Sequence, residues 1–309
     1  MTGQHPGEEL PATAEARMAE IRGSGTWSSA LSADEFAAIR STGFEPVGQV
    51  LGAAVYNVGY TGGYNCPGAW AGYGGFLTPV GGATAVSGGG SSMSSFGPMV
   101  ATLYEARRKA ISRMEAECLE LGGHGVVGVR LTIGSFPAGG LEFKAIGTAI
   151  RAPGAPPLRR PFTSDLSGQD FGKLALAGWV PAGLVLGISI GSRHDDWLTV
   201  TQTRWSGGNT EVHGYTDLVN QTRHDARSQL ERDVTRHGAD GVVVQEMTVR
   251  VRERECPMQE GRRDHIVEAT IIGTAVARFA TDERPQPAPL AIISLDPKRR
   301  QAARVRLGP

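Results

Sequence analysis

The sequence predicts an α+β protein made of two diverged copies of one small unit of helices and strands. Three observations carry this: a gapless internal match of 22 residues, a second match along two long amphipathic helices, and a shared Ile-Gly-Thr-Ala near the end of each copy. The copies cover residues 29–153 and 163–280 of a 309-residue chain, a length that suggests about two domains.

Residues 1–28 read as a flexible tail. The opening stretch, MTGQHPGEELPATAEARMAE, is polar and acidic without an apolar centre, so it is not expected to be a signal peptide. Leu31–Gly52 then aligns on Leu166–Gly187 at an offset of 135, with nine of 22 positions identical, including Gly43/Gly178, Pro46/Pro181 and Gly52/Gly187. Ser32 with Glu35, and Ser167 with Asp170, occupy the places of a helix N-cap and its reciprocal acid. Gly43 and Gly178 stand where a helix ends in a left-handed residue. Strands are expected to follow, around Val47–Leu51 and Ala182–Leu186.

The long helix of the first copy is predicted from about Val100 to Leu121, with Leu103, Ala110, Met114, Cys118 and Leu121 on one face. At an offset of 116 the second copy places Val219, Ala226, Leu230, Val234 and His237 at the same spacing. Each helix runs into a glycine turn and a valine-rich strand, and Glu142–Ile150 matches Glu268–Val276 in a final strand. The fall in offset from 135 to 116 means that the first copy carries 19 extra residues before its long helix. That glycine-rich insertion spans residues 56–99. Residues 154–162 form a proline-rich linker between the copies, and residues 281–309 a flexible C-terminal tail.

Ala106–Arg130 with Gly147-Thr148-Ala149-Ile150 resembles the YbjQ-like family, whose members are labelled heavy-metal-binding. Leu121-Gly122-Gly123-His124-Gly125-Val126-Val127-Gly128-Val129-Arg130 carries the likeness in the first copy. Gly238-Ala239-Asp240-Gly241-Val242-Val243-Val244, with Tyr215-Thr216, carries it in the second. The resemblance implies a dodecin-like unit, a three-stranded antiparallel sheet packed on a helix, assembled as a fivefold homo-oligomeric ring. Five positions cannot be filled by whole chains that place both copies in one ring, so two stacked rings of five chains are expected.

Composition narrows the function. Basic and acidic residues balance at 31 each, which gives no overall attraction to nucleic acid or anionic lipid. Leu174–Ser192 is uncharged over 19 residues but contains Pro181 and four glycines; it reads as a short helix and a buried strand, and membrane contact is not expected. Cys66, Cys118 and Cys256 are isolated and odd in number, consistent with a reducing, cytoplasmic setting.

Gly187-Ile188-Ser189-Ile190-Gly191 matches the hydrolase elbow, but no helix signal follows it, so a serine hydrolase is the least favoured function. His194, Asp195 and Asp196 form the tightest cluster of metal-ligand types, which His213 and His224 could join in space. The same cluster also reads as a solvated turn. A metal ion is the one cofactor these residues suggest.

Pro46–Tyr104 is the feature with no ordinary structural reading: 59 residues without Asp, Glu, Lys, Arg or His, and with 15 glycines. Tyr60, Tyr64, Trp70, Tyr73 and Phe76 within it suit an interface between subunits. The leading function is therefore a non-enzymatic, self-assembling binding or scaffold protein, with a metal-binding protein as the alternative.

Overall fold

Ser32 begins the recurring pattern as expected. A computed structural model describes residues 10–25, 28–57, 84–87, 96–137, 140–203, 208–256 and 263–279. In it the Ser32 hydroxyl accepts from the Glu35 N–H, and the Glu35 carboxylate accepts from the Ser32 N–H, a closed capping box on α2 (Ala33–Ser41). The first half continues through β1 (Glu45–Tyr56), β2 (Thr84–Val86), α3 (Gly97–Glu120), β3 (Gly125–Phe136) and β4 (Gly140–Arg151). The second half runs β5 (Phe162–Thr163), α4 (Gly168–Leu176), β6 (Trp179–His194), α5 (Trp197–Thr203), α6 (His213–Arg236), β7 (Gly241–Glu255) and β8 (Arg263–Arg278).

Two four-stranded sheets result, in the orders β1-β4-β3-β5 and β2-β6-β8-β7. Every pairing is antiparallel except the short β3–β5 contact. The uncharged stretch 174–192 lies in α4 and β6, and among the described residues no helix is long and apolar enough to cross a membrane.

The two halves repeat their internal bonds as well as their order of elements. Gly43 and Gly178 both take φ +82°, a left-handed conformation that favours glycine, and close α2 and α4. A bulge follows Pro46 in β1 and Pro181 in β6. The Leu51 N–H donates to Glu117 at 2.7 Å and the Leu186 N–H to Asp233 at 3.1 Å, so a helix carboxylate satisfies the outer side of each of these strands. Ser29 and Thr148 hydroxyls meet at 3.4 Å, and Ser164 and Thr274 at 3.0 Å. His124 and Asp240 share one turn position, and each accepts a backbone N–H, from Ala152 and Arg278.

Close helix–strand contact explains one pair of glycines. A Cβ on Gly52 would stand 1.8 Å from the Ala110 carbonyl oxygen, and on Gly187 2.2 Å from that of Ala226. The main core is shared between halves: Leu103, Ala110, Met114 and Cys118 of α3 join Val50, Phe143 and Ala145, and also Leu186, Ile188, Ile190 and Ile272 of the second sheet. All these elements belong to one compact unit, Met1–Arg278.

The N-terminal segment differs from its reading as a tail. Ala12–Ser24 forms a helix, α1, with Met18 fully buried and Arg17 and Arg22 paired to Glu117 and Glu120 of α3. One methionine and two ion pairs leave no apolar period in the sequence to signal it.

Candidate functional site

Strand β3 is covered along its outer edge by the start of the second half. The Ser164 N–H donates to Val126 O at 2.9 Å, and the Val129 and Gly128 N–H groups donate to the Ser164 and Leu166 carbonyls, each at 2.9 Å. Phe171 of α4 packs on Ile39, Val127 and Ile150, and its ring stacks on Phe162 with centroids 5.9 Å apart. Under this cover Val126 and Val127 are fully buried. The Phe162 ring fills the space where a Cβ on Gly125 would stand.

Strand β7 holds the corresponding place in the second half, yet lies at the edge of its sheet. At the offset of 116, Gly241, Val242, Val243 and Val244 match Gly125, Val126, Val127 and Gly128. Val242 and Val243 are partly exposed, and Val244 is 44% exposed. A Cβ on Gly241 would meet only Val276, at 3.9 Å. Among the described residues no strand pairs with the outer side of β7. Residues 29–31, the counterparts of 164–166, make the inner contact to Thr148, and among the described residues they pair with no strand edge.

A second arrangement lies where β6, β7 and β8 end together. The β6–β8 register sets His194 opposite Asp264 and Arg193 opposite His265. His194 Nδ1 is 2.7 Å from Asp264 Oδ1. Cys256, one residue beyond β7, completes a buried trio: one ligating atom from each of His194, Cys256 and Asp264 lies within 4.8 Å of the others.

Of the residues singled out in the sequence, His194 belongs to this trio and its neighbours do not. Asp195 accepts from the Tyr215 hydroxyl at 3.1 Å and meets His265 Nδ1 at 3.0 Å. Asp196 pairs with Arg193 at 3.0 Å and accepts from the Thr199 N–H at the start of α5. His213 is exposed beside Glu211, and His224 is exposed on α6. Burial disfavours charge on His265, but its hydrogen bond to Asp195 and the charges of Asp195 and Glu253 outweigh this and hold its pKa above the usual value. Burial and the Asp195 charge push the Tyr215 hydroxyl well up.

Cys256 and Asp264 as partners of His194, and His265 and Tyr215 as partners of Asp195, were not legible in the sequence, because strand pairing and helix packing bring together residues far apart in the chain. Tyr60, Tyr64, Trp70, Tyr73 and Phe76 lie outside the described residues. Ser189 sits in the middle of β6, its hydroxyl donating to Asp225 at 2.6 Å, so the strand–turn–helix of a hydrolase elbow is absent there.

Comparison with known proteins finds that residues 84–153 match the YbjQ family model described as "Putative heavy-metal-binding". The described soft donors within that segment do not fit a metal. Cys118 is buried with its thiol pushed up to about 12, and it lies 3.6 Å from the Gly125 carbonyl. Both ring nitrogens of His124 are engaged by backbone, at Ala152 N and Pro156 O. A UPF0145 protein of Natronomonas pharaonis is 49% identical over 49 residues, 16% of this chain and 47% of that protein. One of Clostridium perfringens is 43% identical over 61 residues, 20% of this chain and 55% of that protein. The chain thus spans about half the length of each. Similarity to the encapsulin nanocompartment protein Rv1762c of Mycobacterium tuberculosis is far more extensive: 33% identity over 268 residues, 84% of this chain and 88% of the relative.

Proposed function

This chain belongs to the family of the mycobacterial encapsulin nanocompartment protein, and from that premise we propose that it is a non-enzymatic scaffold protein whose copies join head to tail. Both halves are read as YbjQ-like units, one matched and one diverged, because their caps, bulges, close glycines and helix carboxylates recur at matched places. The observation that carries assembly is the contrast between β3 and β7. Residues 162–166 cover β3 within the chain; residues 28–31 of a second copy would cover β7 in the same way, seating Leu31 and Phe36 near Val243 and Val276. Strand addition at an open edge supplies backbone hydrogen bonds and hides an edge that would otherwise aggregate.

A contact of this kind is heterologous, so it closes into a ring or continues as a filament. Side by side, two units per chain cannot fill a five-unit ring with whole chains. Fivefold closure here therefore takes five chains and ten units in one ring, in place of two stacked rings. Tyr60, Tyr64, Trp70, Tyr73 and Phe76 add further subunit contacts in this reading, and the compartment is the cytoplasm, where Cys118 and Cys256 stay reduced.

Hydrogen exchange on the intact protein tests the docking. The amides of Val244 and Gln245, counterparts of the Gly128 and Val129 donors, are expected to exchange slowly in concentrated samples and to lose protection on dilution, while those of Gly128 and Val129 stay protected at both concentrations. Fast exchange at these two β7 amides under all conditions would remove the basis of this reading.

A further inference from the structure

We propose that His194, Cys256 and Asp264 form a binding site for a thiophilic divalent cation of the zinc type. The inference stands apart from the assembly reading and from the family match, since all three residues lie outside residues 84–153.

His194 is the last residue of β6, Asp264 the second of β8, and Cys256 follows the last residue of β7. Three strands of one sheet therefore deliver one donor each to a single point, held on the rigid β6–β8 pairing. All three residues are buried, with Asp264 wholly inaccessible.

The donor chemistry is a thiol, an imidazole and a carboxylate. That set suits zinc, which takes sulfur at roughly 2.3 Å and nitrogen or oxygen at roughly 2.0–2.2 Å, and suits hard cations such as magnesium poorly. Donors around one such ion stand roughly 3–4 Å apart, so groups already within 4.8 Å need only small side-chain adjustments. Three protein ligands leave a fourth tetrahedral position for water or another donor.

A buried His–Asp ion pair alone would not require the thiol. Cys256 follows the charged run Arg252-Glu253-Arg254-Glu255, yet is only 7% exposed. Around the trio, the Asp195 N–H donates to Arg263 O at 3.0 Å, and the Asp195 carboxylate holds both His265 and Tyr215. These bonds fix the backbone next to His194 and Asp264, the kind of support that orients metal ligands. The offsets of 135 and 126 place Gly59 and Ala138 opposite His194 and Asp264, so the trio is not repeated at the matching positions of the first half.

The test uses the full chain, purified without a histidine tag, stripped with a chelator and titrated with cobalt(II). A single ion per chain is expected, with the thiolate-to-cobalt charge-transfer band and displacement by zinc. Cys256→Ser should abolish the band, and Asp264→Asn should weaken binding by about tenfold or more. Cys66→Ser and Cys118→Ser should leave both unchanged. Wild-type protein that binds well under one ion per chain, or shows no charge-transfer band, overturns the proposal, whatever the variants do. So does a band that survives Cys256→Ser. Oligomeric mass measured on the same samples separates this result from the assembly reading, which can fail while the metal site stands.

Discussion

Glu35 accepts the Ser32 N–H at 2.7 Å and the Gly168 N–H at 3.2 Å, so one carboxylate caps α2 and reaches the first residue of α4 in the other half. The Ser32 N–H bond, opposed by burial and aided by the Ser32 hydroxyl and the Gly168 N–H, holds its carboxyl below the usual range. A carboxyl lowered on folding stabilises the fold above its unfolded pKa, and that stability is lost as pH falls through the folded value. Glu35→Gln should therefore be less stable than wild type at neutral pH in chemical denaturation, and the gap should close in acid. Gly52→Ala and Gly187→Ala should each lower thermal stability, by about 1–3 kcal/mol, because each new Cβ meets a helix carbonyl and not a movable side chain. Gly23→Ala, in α1 with nothing within 4 Å, should be neutral or slightly stabilising. The caps and end-glycines were legible because each is a local signal within a few residues. The His194–Cys256–Asp264 trio was not, because the β6–β8 and β7–β8 pairings, and nothing in the local spacing, make it a cluster.

Strands β3 and β7 begin alike in sequence and differ in what covers them. The matching runs Gly125-Val126-Val127 and Gly241-Val242-Val243 gave the strands their place, but no pattern in either run says that residues 162–166 sit on the first. Val244→Lys is expected to leave the fold and its melting behaviour intact, since the residue is 44% exposed in the single chain, while disrupting the docking of a second copy. Deleting residues 58–83 should weaken assembly too while preserving β2, which pairs with β6 through Thr84–Val86; unchanged particle size after the deletion would argue against a subunit interface there. Helix α1 marks the limit of pattern reading at this scale, because it is fastened by single contacts and not by a stripe.

At the scale of the molecule, the shared core between α3 and the second sheet makes the two halves one unit, and among the described residues no strand pairs with the outer side of β7, where the proposed docking would take place. Closure in a ring would leave no such edge exposed. Light-scattering mass of the intact protein beside Val244→Lys tests this most directly. Wild-type particles are expected at a whole multiple, above one, of the 32.6 kDa chain, with five chains as the fivefold form, and Val244→Lys is expected to be a folded monomer. A wild-type protein that stays at the mass of one chain, or a Val244→Lys variant that keeps the full wild-type mass, would contradict it.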